Sequence, residues 1–69
     1  MKAEEWLEKF AAKLGIDAPE EAVRSALLEL AGEAAHASER IAAPIACYLV
    51  GLAGVDPERA LEIGKKIGG

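Results

Sequence analysis

The chain has 69 residues and a formal net charge of −4, from 12 acidic and 8 basic residues. This length predicts a single domain over residues 1–69, which buries only about 60% of the surface of its unfolded chain. No basic cluster is longer than Lys65-Lys66, so composition argues against nucleic acids and anionic membrane surfaces as partners.

The first predicted helix runs from about residue 3 to residue 14. Trp6, Phe10 and Leu14 recur at four-residue spacing and therefore share one apolar face. Gly15 suits the left-handed position that follows many helices. We expect the aromatic face to lie in the core.

The second predicted helix covers about residues 19–39, with Pro19 as its first helical residue. Its apolar stripe comprises Val23, Leu27, Leu30, Ala34 and Ala37. At about 100° per residue, a different face carries polar residues and one glycine. These residues are Glu29, Gly32, Glu33, His36 and Arg40.

The third predicted helix, about residues 44–53, lies in a stretch from Ile41 to Val55 that has no charged residue. The stretch is too short to cross a bilayer, which takes about 20 apolar residues. A helix that is apolar all round should be buried on most sides. Three short helices can hardly cover it, so we expect a homo-oligomer, most simply a two-fold dimer with this helix near the axis.

The fourth predicted helix covers about residues 57–67, after a cap at Asp56. Its apolar stripe is Ala60, Ile63 and Ile67, and Gly64 should weaken it. The terminal residues 68–69 should fray. The four segments together predict an all-α fold, a compact bundle of about four short helices. The predicted core is Trp6, Phe10, Leu14, Val23, Leu27, Leu30, Leu49, Leu52 and Ile63.

His36 and Arg40 are the candidate binding residues. Arginine offers a bidentate fork to a phosphate or carboxylate, and histidine is a switchable donor, so the pair could contact an anion or a cofactor. The alternative is a solvated helix face with ordinary side-chain pairs one turn apart. Spacing alone favours this alternative.

Glu33 and His36 also match half of the Glu-x-x-His pattern of carboxylate-bridged di-metal bundles. One chain supplies only one such motif, so a metal site would require a dimer. Cys47 is the only cysteine, which excludes an internal disulfide and suits a reducing, cytoplasmic setting. It lies in the apolar stretch, where an inert thiol is expected. We find no catalytic constellation and no phosphate loop, and we expect neither an enzyme nor a bound cofactor.

Several segments together resemble one bacterial family. They are Trp6–Gly15, Leu27–Ala31, Ala35–Pro44 and Tyr48–Ala53. The family is a small domain of unknown function, similar to the segment fused to or encoded beside molybdenum cofactor guanylyltransferases of actinobacteria. Ile41 departs from the family pattern, which has proline there, and the helix after Asp56 is not matched.

The resemblance implies a context, molybdenum cofactor maturation, rather than an activity of this chain. It implies a guanylyltransferase or a molybdoenzyme as partner, and it strengthens the interpretation of His36 and Arg40 as an anion contact. Our leading hypothesis is therefore a non-catalytic binding or interaction module. The alternatives are a metal- or small-molecule-binding dimer that uses Glu33 and His36, and a purely structural helical oligomer.

Overall fold

The computed structural model describes residues 1–67, which form four helices and no strand. The helices are α1 (Ala3–Leu14), α2 (Glu21–Ala37), α3 (Ala42–Ala53) and α4 (Pro57–Ile67). The predicted all-α bundle is confirmed. The expectation that the two terminal glycines fray concerns residues outside this range.

Helices α1 and α3 each end at a glycine in the left-handed conformation. Gly15 has φ 81°, and its N–H donates to the carbonyl of Ala12 at 3.1 Å, while the N–H of Ile16 reaches Ala11 at 3.0 Å. This pair of hydrogen bonds is the Schellman arrangement, which satisfies carbonyls at the end of a helix. Gly54 ends α3 in the same left-handed region, with φ 69°.

Helix α2 is shorter at both ends than the sequence predicts. Its first turn is anchored by the carbonyl of Glu20, which accepts the N–H of Arg24 at 3.0 Å, so Pro19 stays outside the helix. At the other end, Ser38 leaves helical geometry with φ −137° and ψ −101°. Its hydroxyl donates to the carbonyl of Ala34 at 2.6 Å, which is a common way for serine to satisfy a helix end.

Helix α2 is central and packs against both α3 and α4. The most buried side chains are small ones around a single leucine, namely Ala11, Ala26, Leu30 and Ala60. A Cβ atom added at Gly64 would lie 2.6 Å from Cδ1 of Leu30, well inside van der Waals contact. Gly64 therefore permits the close approach of α4 to α2, since an alanine there would force the Leu30 side chain to shift.

The predicted core is mostly wrong for the single chain. Leu30 is buried as expected, and Val23 and Leu27 are partly buried. The other six are exposed, namely Trp6, Phe10, Leu14, Leu49, Leu52 and Ile63. The reason is geometric: helices approach through their alanine and glycine faces, so the larger apolar side chains point outward.

The bundle is compact, but it exposes more surface than is usual for a monomer of its size. Its accessible surface is 5491 Å², whereas a folded monomer of 7.2 kDa is expected to expose about 4100 Å². The radius of gyration, 12.4 Å, exceeds the value of about 11 Å expected for this length. Roughly 1400 Å² of additional surface is thus left uncovered relative to an ordinary monomer.

Candidate functional site

His36 and Arg40 do not share a helix face. His36 lies in the last turn of α2, whereas Arg40 follows the break at Ser38 and belongs to the turn before α3. Both side chains are exposed. Within residues 1–67 neither makes a side-chain hydrogen bond or an ion pair. The one-turn spacing inferred from the sequence is therefore wrong, although both residues still flank the start of α3.

The first turn of α3 offers little help in binding an anion. The N–H of Ala42 donates to the carbonyl of Glu39 at 3.0 Å, and the N–H of Ala43 donates to Arg40 at 3.2 Å. Pro44, the third residue of the helix, has no N–H. Since these donors are already used or missing, an anion near His36 would depend on the side chains alone.

Glu33 and His36 do not form a metal centre in one chain. Over the described range, no group of three or more His, Cys, Asp or Glu side chains is placed to hold a metal ion. A di-metal site would still need a second chain, as the single Glu-x-x-His motif indicates.

Cys47 faces the inside of the bundle. Its side chain is partly buried, and Sγ lies 3.8 Å from the carbonyl oxygen of Leu27 on α2. This contact fixes the orientation of α3, because residues close to Cys47 in angle must also face α2. The small side chains Ala43, Ala46 and Val50 are indeed partly buried.

The opposite side of α3 is exposed and apolar. We call it the outer stripe, formed by Ile41 in the preceding turn and by Ile45, Tyr48 and Leu52. These residues are 73%, 58%, 65% and 70% exposed. Leu49 flanks the stripe. Packing on α2 explains why one side of α3 has no charged residue. The other side has none either, although it is uncovered in the single chain.

Helix α1 carries a second exposed apolar feature. The rings of Trp6 and Phe10 stack with centroids 4.9 Å apart and planes 28° apart. About half of each side chain is exposed, and Lys9 and Lys13 line the same shallow depression. The sequence correctly groups the two aromatics on one face, but that face is not the inner one.

A cleft of about 460 Å³ separates α1 from the first half of α2. Its lining is mostly apolar and includes Leu7, Leu27 and Leu28. At its edge, Nη2 of Arg24 lies 3.7 Å from Oε2 of Glu4. Sequence reasoning did not find this ion pair, because nothing in the sequence relates two residues so far apart. The cleft does not include His36 or Arg40.

No helix among residues 1–67 combines the length and apolarity needed to cross a membrane. Comparison with curated proteins and with solved structures finds no match. A family match does exist, and it covers nearly the whole chain. The chain belongs to the family described as Domain of unknown function (DUF6457), which it matches over residues 1–65.

Proposed function

We propose that this chain is a non-catalytic interaction module, which acts by covering its exposed apolar faces with another protein surface. The observation that carries the proposal is the roughly 1400 Å² of surface beyond that of an ordinary monomer. Single exposed apolar residues are normal, whereas contiguous apolar patches mark interaction sites. The outer stripe of α3 and the aromatic pair of α1 are two such patches.

The character of the exposed side chains supports the same function. Binding energy at protein interfaces concentrates in a few large side chains, among which tryptophan and tyrosine are enriched. Trp6 and Tyr48 are 52% and 65% exposed. Both lie on regular helices, so their positions are fixed before binding, which limits the ordering cost of association.

The finer proposal names the partner as a molybdenum cofactor guanylyltransferase or a molybdoenzyme. Its support is the resemblance of four segments to the family, of which Trp6–Gly15 and Ala35–Pro44 hold the exposed candidate residues. The first segment holds the exposed aromatic pair, and the second holds the turn with exposed His36 and Arg40. The exposed side chains of these two segments could be reached by a partner, whereas a third resembling segment, Leu27–Ala31, includes a buried leucine.

Calorimetric titration of a purified molybdenum cofactor guanylyltransferase with this chain tests the proposal. We expect binding with a negative heat-capacity change, because apolar surface is buried. Trp6→Ala should weaken binding about tenfold or more, as expected for an aromatic anchor. Leu28→Ala is the matched control, since Leu28 is an exposed apolar residue on α2.

Two results would count against the proposal. Absence of binding at high micromolar concentration would remove the guanylyltransferase as partner. Equal weakening by Trp6→Ala and Leu28→Ala would show that the aromatic pair is no anchor. Circular dichroism of both variants checks that their helices persist, which is expected because both side chains are exposed.

A further inference from the structure

We propose that the outer stripe of α3 binds the outer stripe of a second copy of this chain, antiparallel and about a two-fold axis. This inference rests on the proposed function, because it names the partner of one of the exposed faces. Its support comes from the spacing, the charge and the area of the stripe.

The spacing of the stripe is that of a helix-pairing seam. Ile41, Ile45, Tyr48 and Leu52 follow one another at intervals of four, three and four residues. Apolar residues that alternate between these intervals form the contact line of two packed helices. The line lies opposite Cys47, whose sulfur contacts α2, so a second helix can pack on it without disturbing the bundle.

Charge favours a second copy at this position. Each chain has a net charge of −4, so two copies repel one another over most of their surfaces. The stretch from Ile41 to Val55 has no charged residue. The outer stripe is therefore a face that two identical acidic chains can bring together without placing like charges in contact.

The helix dipole favours the antiparallel arrangement. Parallel packing would place like ends of the two α3 dipoles side by side, whereas antiparallel packing places each end beside its opposite. Charged residues at the ends of the stretch add little, because the exposed Glu39 directly precedes Arg40 and offsets its charge.

The available area is sufficient for a specific dimer. With about 200 Å² for a large side chain, the stripe and Leu49 together expose roughly 600 Å² per copy. Two copies could bury at most about 1200 Å², which lies at the low end of the range for specific interfaces. The remaining excess surface, which includes Trp6 and Phe10 on α1, stays free for a different partner.

Sedimentation equilibrium of the purified chain tests whether the outer stripe mediates a dimer. We expect a dimer, with twice the mass of the 7.2 kDa chain, at high micromolar concentration. Ile45→Glu should raise the dissociation constant at least about 100-fold, because the two-fold axis buries the unpaired charge twice. Leu28→Glu, at an exposed site outside the stripe, should leave the dissociation constant unchanged. Circular dichroism should show both variants still folded.

Engineered cysteines test the orientation, in a Cys47→Ala background. Centring the antiparallel stripes places Ile45 of one copy beside Tyr48 of the other. A mixture of the Ile45→Cys chain and the Tyr48→Cys chain should cross-link faster than either variant alone. Faster cross-linking of each variant with itself would overturn the antiparallel arrangement.

The remaining outcomes separate this inference from the proposed function. A monomer at all concentrations, or a dimer unaffected by Ile45→Glu, would overturn the inference. Neither result bears on the titration with the guanylyltransferase, which depends on the aromatic pair of α1. If the chain forms the dimer through the outer stripe but does not bind the guanylyltransferase, only the proposal that this enzyme is the partner is overturned.

Discussion

Replacing Gly64 by alanine should destabilise the chain, although alanine is the better helix former. In an open helical position, glycine to alanine stabilises a protein by about 0.5–1 kcal/mol. At Gly64 the new methyl group would lie 2.6 Å from Cδ1 of Leu30, which is itself only 6% exposed. Overpacking of this kind costs about 1–3 kcal/mol. We therefore expect Gly64→Ala to lower the free energy of unfolding by about 1 kcal/mol.

Gly32 provides the matched control. It lies within α2, and a Cβ atom there would meet nothing within 4 Å. Gly32→Ala should raise the free energy of unfolding by about 0.5–1 kcal/mol, so the two variants should differ by about 2 kcal/mol. Urea denaturation at one fixed, low protein concentration measures both values without a contribution from association.

A double-mutant cycle identifies the contact responsible. Leu30→Val removes the Cδ1 atom, so Gly64→Ala should become neutral or stabilising in that background. The expected coupling between the two substitutions is about 1 kcal/mol or more. Equal stabilisation by Gly64→Ala and Gly32→Ala would refute the close approach of α4 to α2 on which this reasoning depends.

Three further predictions concern Asp56, the pair His36 and Arg40, and Leu27. Asp56→Ala should cost about 1 kcal/mol, because a carboxylate oxygen of Asp56 accepts the N–H of Arg59 at 3.3 Å, and Asp56→Asn should retain most of that stability in urea denaturation. The double substitution His36→Ala with Arg40→Ala should change stability by less than about 0.5 kcal/mol, since both side chains are exposed. Loss of binding to a molybdopterin-type phosphate would support their role as an anion contact, and retained binding would refute that role. Leu27→Ala should cost about 2 kcal/mol, the lower end of the range for core leucines, because Leu27 is only partly buried.

The helix boundaries were largely predictable because local chemistry sets them. Gly15 and Gly54 end α1 and α3 in the left-handed conformation, as glycine after an apolar segment indicates. Pro57 begins α4 as expected. The break after α2 was not predicted: it occurs at Ser38, whose backbone leaves helical geometry, and serine is tolerated in many helices without ending them. The expectation that Arg40 lies one helical turn after His36 is wrong for this reason.

The direction in which each helix faces was not predictable from periodicity. A periodic pattern identifies residues that share a face, but it does not state which face meets the rest of the chain. In α4 the inner face is that of Ala60 and Gly64, while Ile63 remains 46% exposed. The predicted core assumed that the large apolar side chains are buried. In this bundle the helices instead approach closely through small side chains, which take the buried positions. The exposed stripe on α3 follows from the same preference.

The attachment of α1 has a consequence for how the chain opens. The close helix–helix approaches are those of α2 with α3 and of α2 with α4, whereas α1 is held through the side of Ala11 and the ion pair between Glu4 and Arg24. Few contacts are lost if α1 detaches, so its amide protons should exchange with solvent through local opening, before those of α2. The helix that carries the aromatic pair is therefore expected to open more readily than the other three, while remaining packed on α2 for most of the time. A partner that binds Trp6 and Phe10 should slow amide exchange in α1 more than in the other three helices.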